Sequence, residues 1–184
     1  MDPERPDPLP IATPRTTLRR LSPSDLADFQ AYRTDPEVGR WQGWTATGEA
    51  VARLYLAQNA RCPLFVPGEW FQVGIALRAG GGEGPLIGDI GIGTDEHDPG
   101  LAQIGFSLNR QWQGQGLAAE AVAAACAFAF RDGGIRRLCA ITDTRNLASI
   151  RLLERLGFEN ERTLDAVFRG EPCREHHFAI EAPR

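Results

Sequence analysis

The sequence predicts one mixed α/β domain of α+β type: a central mixed, mainly antiparallel sheet of about six or seven strands flanked by about four helices. Three observations predict it. Period-two segments from Trp70 to Arg78, Leu86 to Thr94 and Leu101 to Leu108 follow one another with only turn signals between them, the pattern of an antiparallel meander. At Gly114 the pattern changes to a long Ala-rich helix, Leu117 to Arg131, after which strand and helix signals alternate. No internal repeat divides the 184 residues, and a chain of this length suits one core.

The elements follow in order. Five prolines within Met1 to Pro14 cannot build a helix or a central strand, so residues 1–13 read as a flexible Pro-rich arm and 14–184 as a single domain. Thr16 to Leu21 alternates as a strand. Ser22-Pro23 then opens a helix carrying Leu26, Phe29 and Tyr32, and Asp35-Pro36 stops it. A second helix opens at Thr47 or Gly48, with Val51, Leu54 and Tyr55 expected inward. Ala79 to Pro85 is a Gly-rich turn within the meander, and Asp95 to Gly100 is the next. After the Ala-rich helix, Gly133-Gly134 takes the C-terminal role. Arg137 to Thr142 is a buried strand, and Asn146 to Leu156 is a helix with Ile150, Leu152, Leu153 and Leu156 inward. Phe158 to Leu164 and Glu175 to Glu181 close the sheet.

Composition excludes whole classes of chemistry. All 20 basic residues are Arg, so a phosphate-loop lysine, a Schiff-base lysine and a lysine base are absent. The net charge of -4 without an Arg-rich block gives a nucleic-acid partner no electrostatic support and suits a cationic small substrate. The longest stretch free of charged residues, Pro99 to Asn109, is too short to span a bilayer. The four cysteines lack zinc-site spacing, so no metal is expected. The acidic, proline-rich start differs from a signal peptide, which makes a cytoplasmic location the expectation.

Gln113-Gly114-Gln115-Gly116-Leu117-Ala118 lies between a strand and a helix. Glycines there let the backbone turn tightly with amides facing outward, either as a plain turn or as an anion cradle at a helix N-terminus. A dinucleotide fingerprint, Gly114-x-Gly116-x-x-Ala119, would need a carboxylate at the following strand end about 20 residues on. Asp132 falls at a helix end instead, and the meander contradicts a doubly wound fold, so an NAD-binding protein is the weakest of the readings.

This loop resembles the cofactor loop, Gln/Arg-x-x-Gly-x-Gly/Ala, of the GCN5-related N-acetyltransferase (GNAT) superfamily. The likeness is closest to its RimJ/RimL-like branch. It extends through Thr13 to Arg19, Asp35-Pro36-Glu37-Val38, Gly114 to Ala121 and Asn146 to Phe158, across most of residues 13–181. The resemblance implies an acyltransferase using acetyl-CoA as cosubstrate. The pyrophosphate would lie on the amides of Gln113, Gly114, Gln115, Gly116, Leu117 and Ala118, and the pantetheine arm beside the strand ending at Leu108, whose amide region would stabilise the oxyanion. Asn146 would hold that arm and also suits helix capping. Ser149, one turn on, would face the thiol or bond back to its own helix.

The reaction so implied is direct attack of a primary amine on the thioester, the amine being a protein N-terminus or a small molecule such as an amino sugar. Two usual positions are altered. The family's Tyr acid position is Leu153, and the only tyrosines, Tyr32 and Tyr55, lie in the early helices; Gln103 stands where the branch often has Glu. Ser149 and Asp89 are the candidate catalytic residues, with the Asp95-Glu96-His97-Asp98 turn and Glu175 or His176 behind them as bases, and Glu120 reads as a brace for the loop. Trp41, Trp44 and Trp70 are expected to line the acceptor site or pack in the core. The altered positions keep a non-catalytic acyl-CoA-binding module as the alternative, and pairing of the late strands would allow a homodimer.

Overall fold

Strand alternation decides which side of the sheet is buried, and here it assigns the two faces different jobs. The computed structural model describes residues 7–79 and 82–183. Its strands are β1 (Ile11–Ala12), β2 (Thr16–Arg20), β3 (Trp70–Ala79), β4 (Gly82–Thr94), β5 (Leu101–Leu108), β6 (Arg137–Asp143), β7 (Glu159–Phe168) and β8 (Glu171–Glu181). They form one sheet in the order β1-β2-β3-β4-β5-β6-β8-β7. Every pairing is antiparallel except β5 with β6.

On one face, Phe71, Val73 and Ile75 of β3 lie beside Ile90 and Ile92 of β4, then Ile104 and Leu138. This face is sealed by α4 (Leu117–Asp132), which presents Ala121, Val122, Ala125 and Phe128, and by α5 (Leu147–Arg155). Small alanines let α4 approach the sheet closely while Phe128 fills the remaining depth. On the other face, α1 (Leu26–Arg33), α2 (Pro36–Gly39) and α3 (Glu49–Asn59) build a second core around Leu21, Phe29, Tyr32, Leu56 and Leu86. That core leaves the rest of the face open.

Among the described residues the sheet therefore has one strand more than the upper expectation, and the α-helices number five, with α2 as the addition. Asp35 does end the first helix, but its carboxylate accepts the Glu37 N–H and Pro36 takes the first position, so the same dipeptide starts α2. The extra strand comes from the segment expected as a flexible arm. Leu9 is buried in the core, Ile11 and Ala12 pair with Leu18 and Thr17, and the Thr13 hydroxyl binds Thr16. Pro10 and Pro14 flank this short edge strand, the place in a sheet where proline costs least. Residues 1–6 of the expected arm lie outside the described residues.

Two further expectations shift. In α3 the exposed residues include Val51 and Leu54, while Ala52, Leu56 and Asn59 are buried. Asn59 is drawn inward because its side chain accepts the Gln72 N–H and donates to the Tyr55 carbonyl, which rotates the helix by one position. The closing strands are also longer than expected, joined at Arg169-Gly170, both at positive φ. No helix among the described residues is long and apolar enough to cross a membrane.

Candidate functional site

The parallel pairing of β5 with β6 covers only Leu101–Arg137, Ala102–Leu138 and Gln103–Cys139. Beyond it β5 runs five residues further and β6 four, so the sheet splays between them. Asn109 donates its N–H to Ile87 O at 2.8 Å, which fixes the alternation of the β4–β5 ladder. The odd residues of β5 bond β4; the amides of Phe106 and Leu108 point the other way, into the splay. The carbonyls at these positions accept side chains, Phe106 O from Gln42 at 3.0 Å and Leu108 O from Gln113 at 2.8 Å.

A groove of about 490 Å³ runs from the splay to the N-terminus of α4. Gly114 and Gly116 both hold positive φ, and a Cβ at Gly114 would meet nothing within 4 Å, so the loop presents bare backbone to the groove. Gly116 is the N-cap of α4 and offers no side chain, which leaves first-turn amides free for an anion. Of the residues expected at the cofactor, Leu108, Gln113, Gly114, Gly116, Leu117 and Ala118 line this groove. Gln115 does not. Its carbonyl accepts Arg15 at 2.9 Å and its side chain bonds Gln111 O, turning it away from the groove.

Arg15 belongs to the turn after β1 and is itself held by Glu120. That carboxylate accepts the Thr13 hydroxyl, the Arg15 amide and the Arg15 guanidinium at 2.6–2.7 Å. Burial alone would raise the Glu120 carboxyl, yet these bonds outweigh it and hold the group below its ordinary range. Glu120 is thus a brace between the first strands and the loop, as its place in the sequence suggested.

Across the groove, Asn146 caps α5 by accepting the Ser149 N–H at 3.3 Å, and both residues line the groove. Capping and lining coexist. Ser149 Oγ makes no hydrogen bond to another described residue, whereas Leu153 is 1% exposed and packs in the core. The usual tyrosine position is therefore given over to packing. Arg151 and Arg155 also line the groove and form no ion pair among the described residues.

A second cavity of about 590 Å³ lies on the open sheet face and shares Trp41, Gln42, Phe106 and Ser107 with the groove. Its floor is low because the strands carry glycine where side chains would rise. The Trp70 ring lies across Gly93, the Gln72 amide lies across Gly91, and a Cβ at Gly105 would enter open space. Trp41, Trp44 and Trp70 line it as expected, joined by Tyr55 and by Phe168 at the end of β7. Arg169 ties the cavity mouth, donating to Gln42 O and Trp44 O.

Asp89, expected as a base, is instead the buried counter-ion of Arg33. Its Oδ2 accepts both the Tyr32 hydroxyl, at 2.8 Å, and the Arg33 guanidinium. That guanidinium stands 4.4 Å from the Trp44 ring centre and 4.9 Å from that of Phe29. A carboxylate so engaged holds a wall in place, its Oδ2 already taken by two donors from α1. Burial, helped by Asp89, pushes the Tyr32 hydroxyl well above the ordinary tyrosine range, and burial pushes Tyr55 up to about 12, so both stay protonated at neutral pH. Asp143 also faces the cavity; hydrogen bonds from the Arg145 side chain hold its carboxyl below the usual range.

Sequence reasoning missed Arg33, Gln42, Tyr55 and the glycine floor. A signal was present in β4, where Gly88-Asp89-Ile90-Gly91-Ile92-Gly93 alternates isoleucine on the core face with glycine or aspartate on the other from Asp89 on. Glycine repeated along one face of a central strand marks close approach of another group. Arg33 and Tyr55 had no comparable signal, since each sits in a helix pattern that reads as ordinary packing.

A family model described as an acetyltransferase (GNAT) domain matches residues 15–159. The chain is 28% identical over 154 residues to the uncharacterized N-acetyltransferase p20 of Bacillus licheniformis, covering 84% of each. It superposes on the GNAT-family acetyltransferase from Bacillus anthracis with a TM-score of 0.81 at 21% identity, over 94% of this chain and 98% of that one. A similar likeness, TM-score 0.78 at 19% identity over 93% and 96%, is to RimL, a ribosomal L7/L12 α-N-protein acetyltransferase solved with coenzyme A.

Proposed function

The chain belongs to the GNAT acetyltransferase family, and from that premise we propose that it moves an acetyl group from acetyl-CoA to a primary amine, on a protein N-terminus or on a small molecule. One observation carries this reading: the groove and the cavity share Trp41, Gln42, Phe106 and Ser107 as common wall, where the sheet splays. A two-substrate enzyme needs two such compartments meeting at one point.

The residues present fit the cosubstrate. The bare loop at Gly114 and Gly116, together with the uncapped start of α4, suits a pyrophosphate, and Arg151 and Arg155 supply positive charge along the groove. The free edge of β5 offers the Phe106 and Leu108 amides to an extended, amide-bearing arm, as an added strand would use them. When bound, acetyl-CoA supplies an activated acetyl thioester that an amine takes by direct attack.

The chain's own residues then have separate tasks. The Leu108 N–H points into the splay, where it can stabilise charge developing on the carbonyl oxygen. Ser149, its hydroxyl unengaged on the groove wall, is the group placed to hand a proton to the departing sulfur. Trp41 and Gln42, fixed by the Gln42–Phe106 bond and by Arg169, stand between the compartments and limit water at their junction. Asp89 keeps Arg33 and Tyr32, and through them the cavity wall, in place.

Thermal unfolding with acetyl-CoA, CoA, NAD and ATP at matched concentrations tests the cofactor, because a ligand of the native state raises the midpoint by mass action. A shift confined to acetyl-CoA and CoA is expected. Thiol release across an amine panel then tests transfer: binding without release from any amine would mean an acyl-CoA-binding module.

A further inference from the structure

We infer that the acceptor is a small primary amine with an apolar body, and that Glu175 is the carboxylate that receives its ammonium group; this rests on the acetyltransferase reading above. Three carboxylates line the acceptor cavity: Asp89, Asp143 and Glu175. Two are neutralised. Asp89 is paired with Arg33, and Asp143 is held by Arg145 through Nε at 2.9 Å and Nη2 at 2.7 Å. The Glu175 carboxylate, on β8, makes no ion pair or hydrogen bond with another described residue, so its charge is left for a ligand.

Its position is at the reactive end. Glu175 stands opposite Asp143 in the β6–β8 ladder, and continuing the β5–β6 register four residues past Gln103–Cys139 sets Asp143 across the splay from Ser107. Ser107 is shared by both compartments and adjoins the Leu108 amide. The charged groups near Glu175 are Asp143 with its partner Arg145, and Arg40, whose charge acts on Asp143; Cys173 on the same strand is pushed up, by burial first and then by Glu175. Asp143 is paired with Arg145 and the Arg40 guanidinium lies over the Trp41 ring at 4.6 Å, so Glu175 is the one of the three carboxylates with no ion pair among the described residues.

The other end of the cavity is apolar. Trp41 already carries the guanidinium of Arg40 at 4.6 Å, and Trp44 carries that of Arg33 at 4.4 Å. Trp70 has no guanidinium over its ring among the described residues, lies across Gly93, and is 53% exposed. It occupies the level of Gln103, four residues back along the sheet from the Ser107 level, with Gly105 open between. A flat apolar group laid on Trp70 over the bare Gly105 backbone would extend its amine toward Glu175 and the splay. The cavity volume, about 590 Å³, is within the usual range for a small molecule.

The test is titration calorimetry of the full chain, with and without CoA, using 2-phenylethylammonium chloride and its neutral counterpart 2-phenylethanol. The native protein should bind the ammonium about tenfold or more tightly than the alcohol. Glu175→Gln should bring the two within about twofold, and Glu175→Asp should restore part of the preference. Trp70→Ala should weaken both ligands alike. Equal binding of the two by the native protein, or an undiminished ammonium preference in Glu175→Gln, overturns the assignment. Acetylation of an alanine-initiated peptide amide but not of 2-phenylethylamine overturns the small-amine class. Glu175→Gln should keep its CoA affinity and melting midpoint, which separates loss of the anchor from loss of fold. Failure of the native chain to bind CoA would appear in a separate titration and would fall on the acetyltransferase reading.

Discussion

The two compartments are built from different materials. The groove proposed for the cofactor draws heavily on backbone: the amides of Phe106 and Leu108, the positive-φ glycines at 114 and 116, and helix starts at Gly116 and Asn146. Its parts come mainly from residues 106–119 and 146–155, with Glu37, Val38, Trp41 and Gln42 along one side and one brace from Thr13 and Arg15. The cavity proposed for the acceptor is mostly side chains, drawn from α1, the loop after α2, α3 and six of the eight strands, and tuned by ion pairs and stacked rings. A backbone site constrains glycine and cap positions. A side-chain site can change its ligand by exchanging residues while the scaffold stays.

Four perturbations would break or sharpen this contrast. The largest effect is expected where the cavity's wall is an isolated charge pair. Asp89→Asn leaves Arg33 buried without a counter-ion and should cost about 3–5 kcal/mol in urea unfolding. A loss under 1 kcal/mol would mean the pair does not hold the wall. Gly116→Trp comes next: it sets a bulky side chain at φ +77° beside Arg15 and fills the cradle. CoA affinity measured by calorimetry should fall at least about a hundredfold, about 2.7 kcal/mol, and unchanged affinity would refute the groove.

Gly105→Leu separates the compartments. Its Cβ points into open cavity, so acetyl-CoA affinity should hold while kcat/KM for a turned-over amine falls about tenfold or more. Equal losses in both would show the two sites to be one. The smallest effect concerns the brace. Because Glu120 has its folded pKa lowered, its contribution is full above the unfolded value of about 4.3 and is lost as pH falls through the folded pKa. The melting midpoint of the native chain should exceed that of Glu120→Gln at pH 7, and the gap should narrow progressively as pH falls below about 4.3. A gap that stays constant on acidification would place the effect elsewhere.

The same contrast explains what was legible beforehand. The groove was readable because glycine and asparagine at helix starts are local requirements: Gly114, Gly116 and Asn146 announce turns and caps within a few residues. Gln115 was the exception, since only the fold brings Arg15 to its carbonyl. In the cavity, Trp41, Trp44 and Trp70 were legible as large residues in the N-terminal half, but the partner that disarms Asp89 was not. Arg33 and Asp89 are separated by 56 residues, and nothing in either stretch foretells the pairing.

By itself the sequence determined the meander, the switch to the Ala-rich helix at Gly114 and the backbone cradle, because periodicity, glycine and capping act through near neighbours. Tertiary structure decided the rest. It drew residues 9–13 into an edge strand, turned α3 by one position through Asn59, and spent Asp89 on Arg33 while leaving Glu175 unpaired. The physical reason is that a carboxylate's chemistry depends on which charges and donors fall within a few ångströms of it, and here those come from strands and helices distant in the chain.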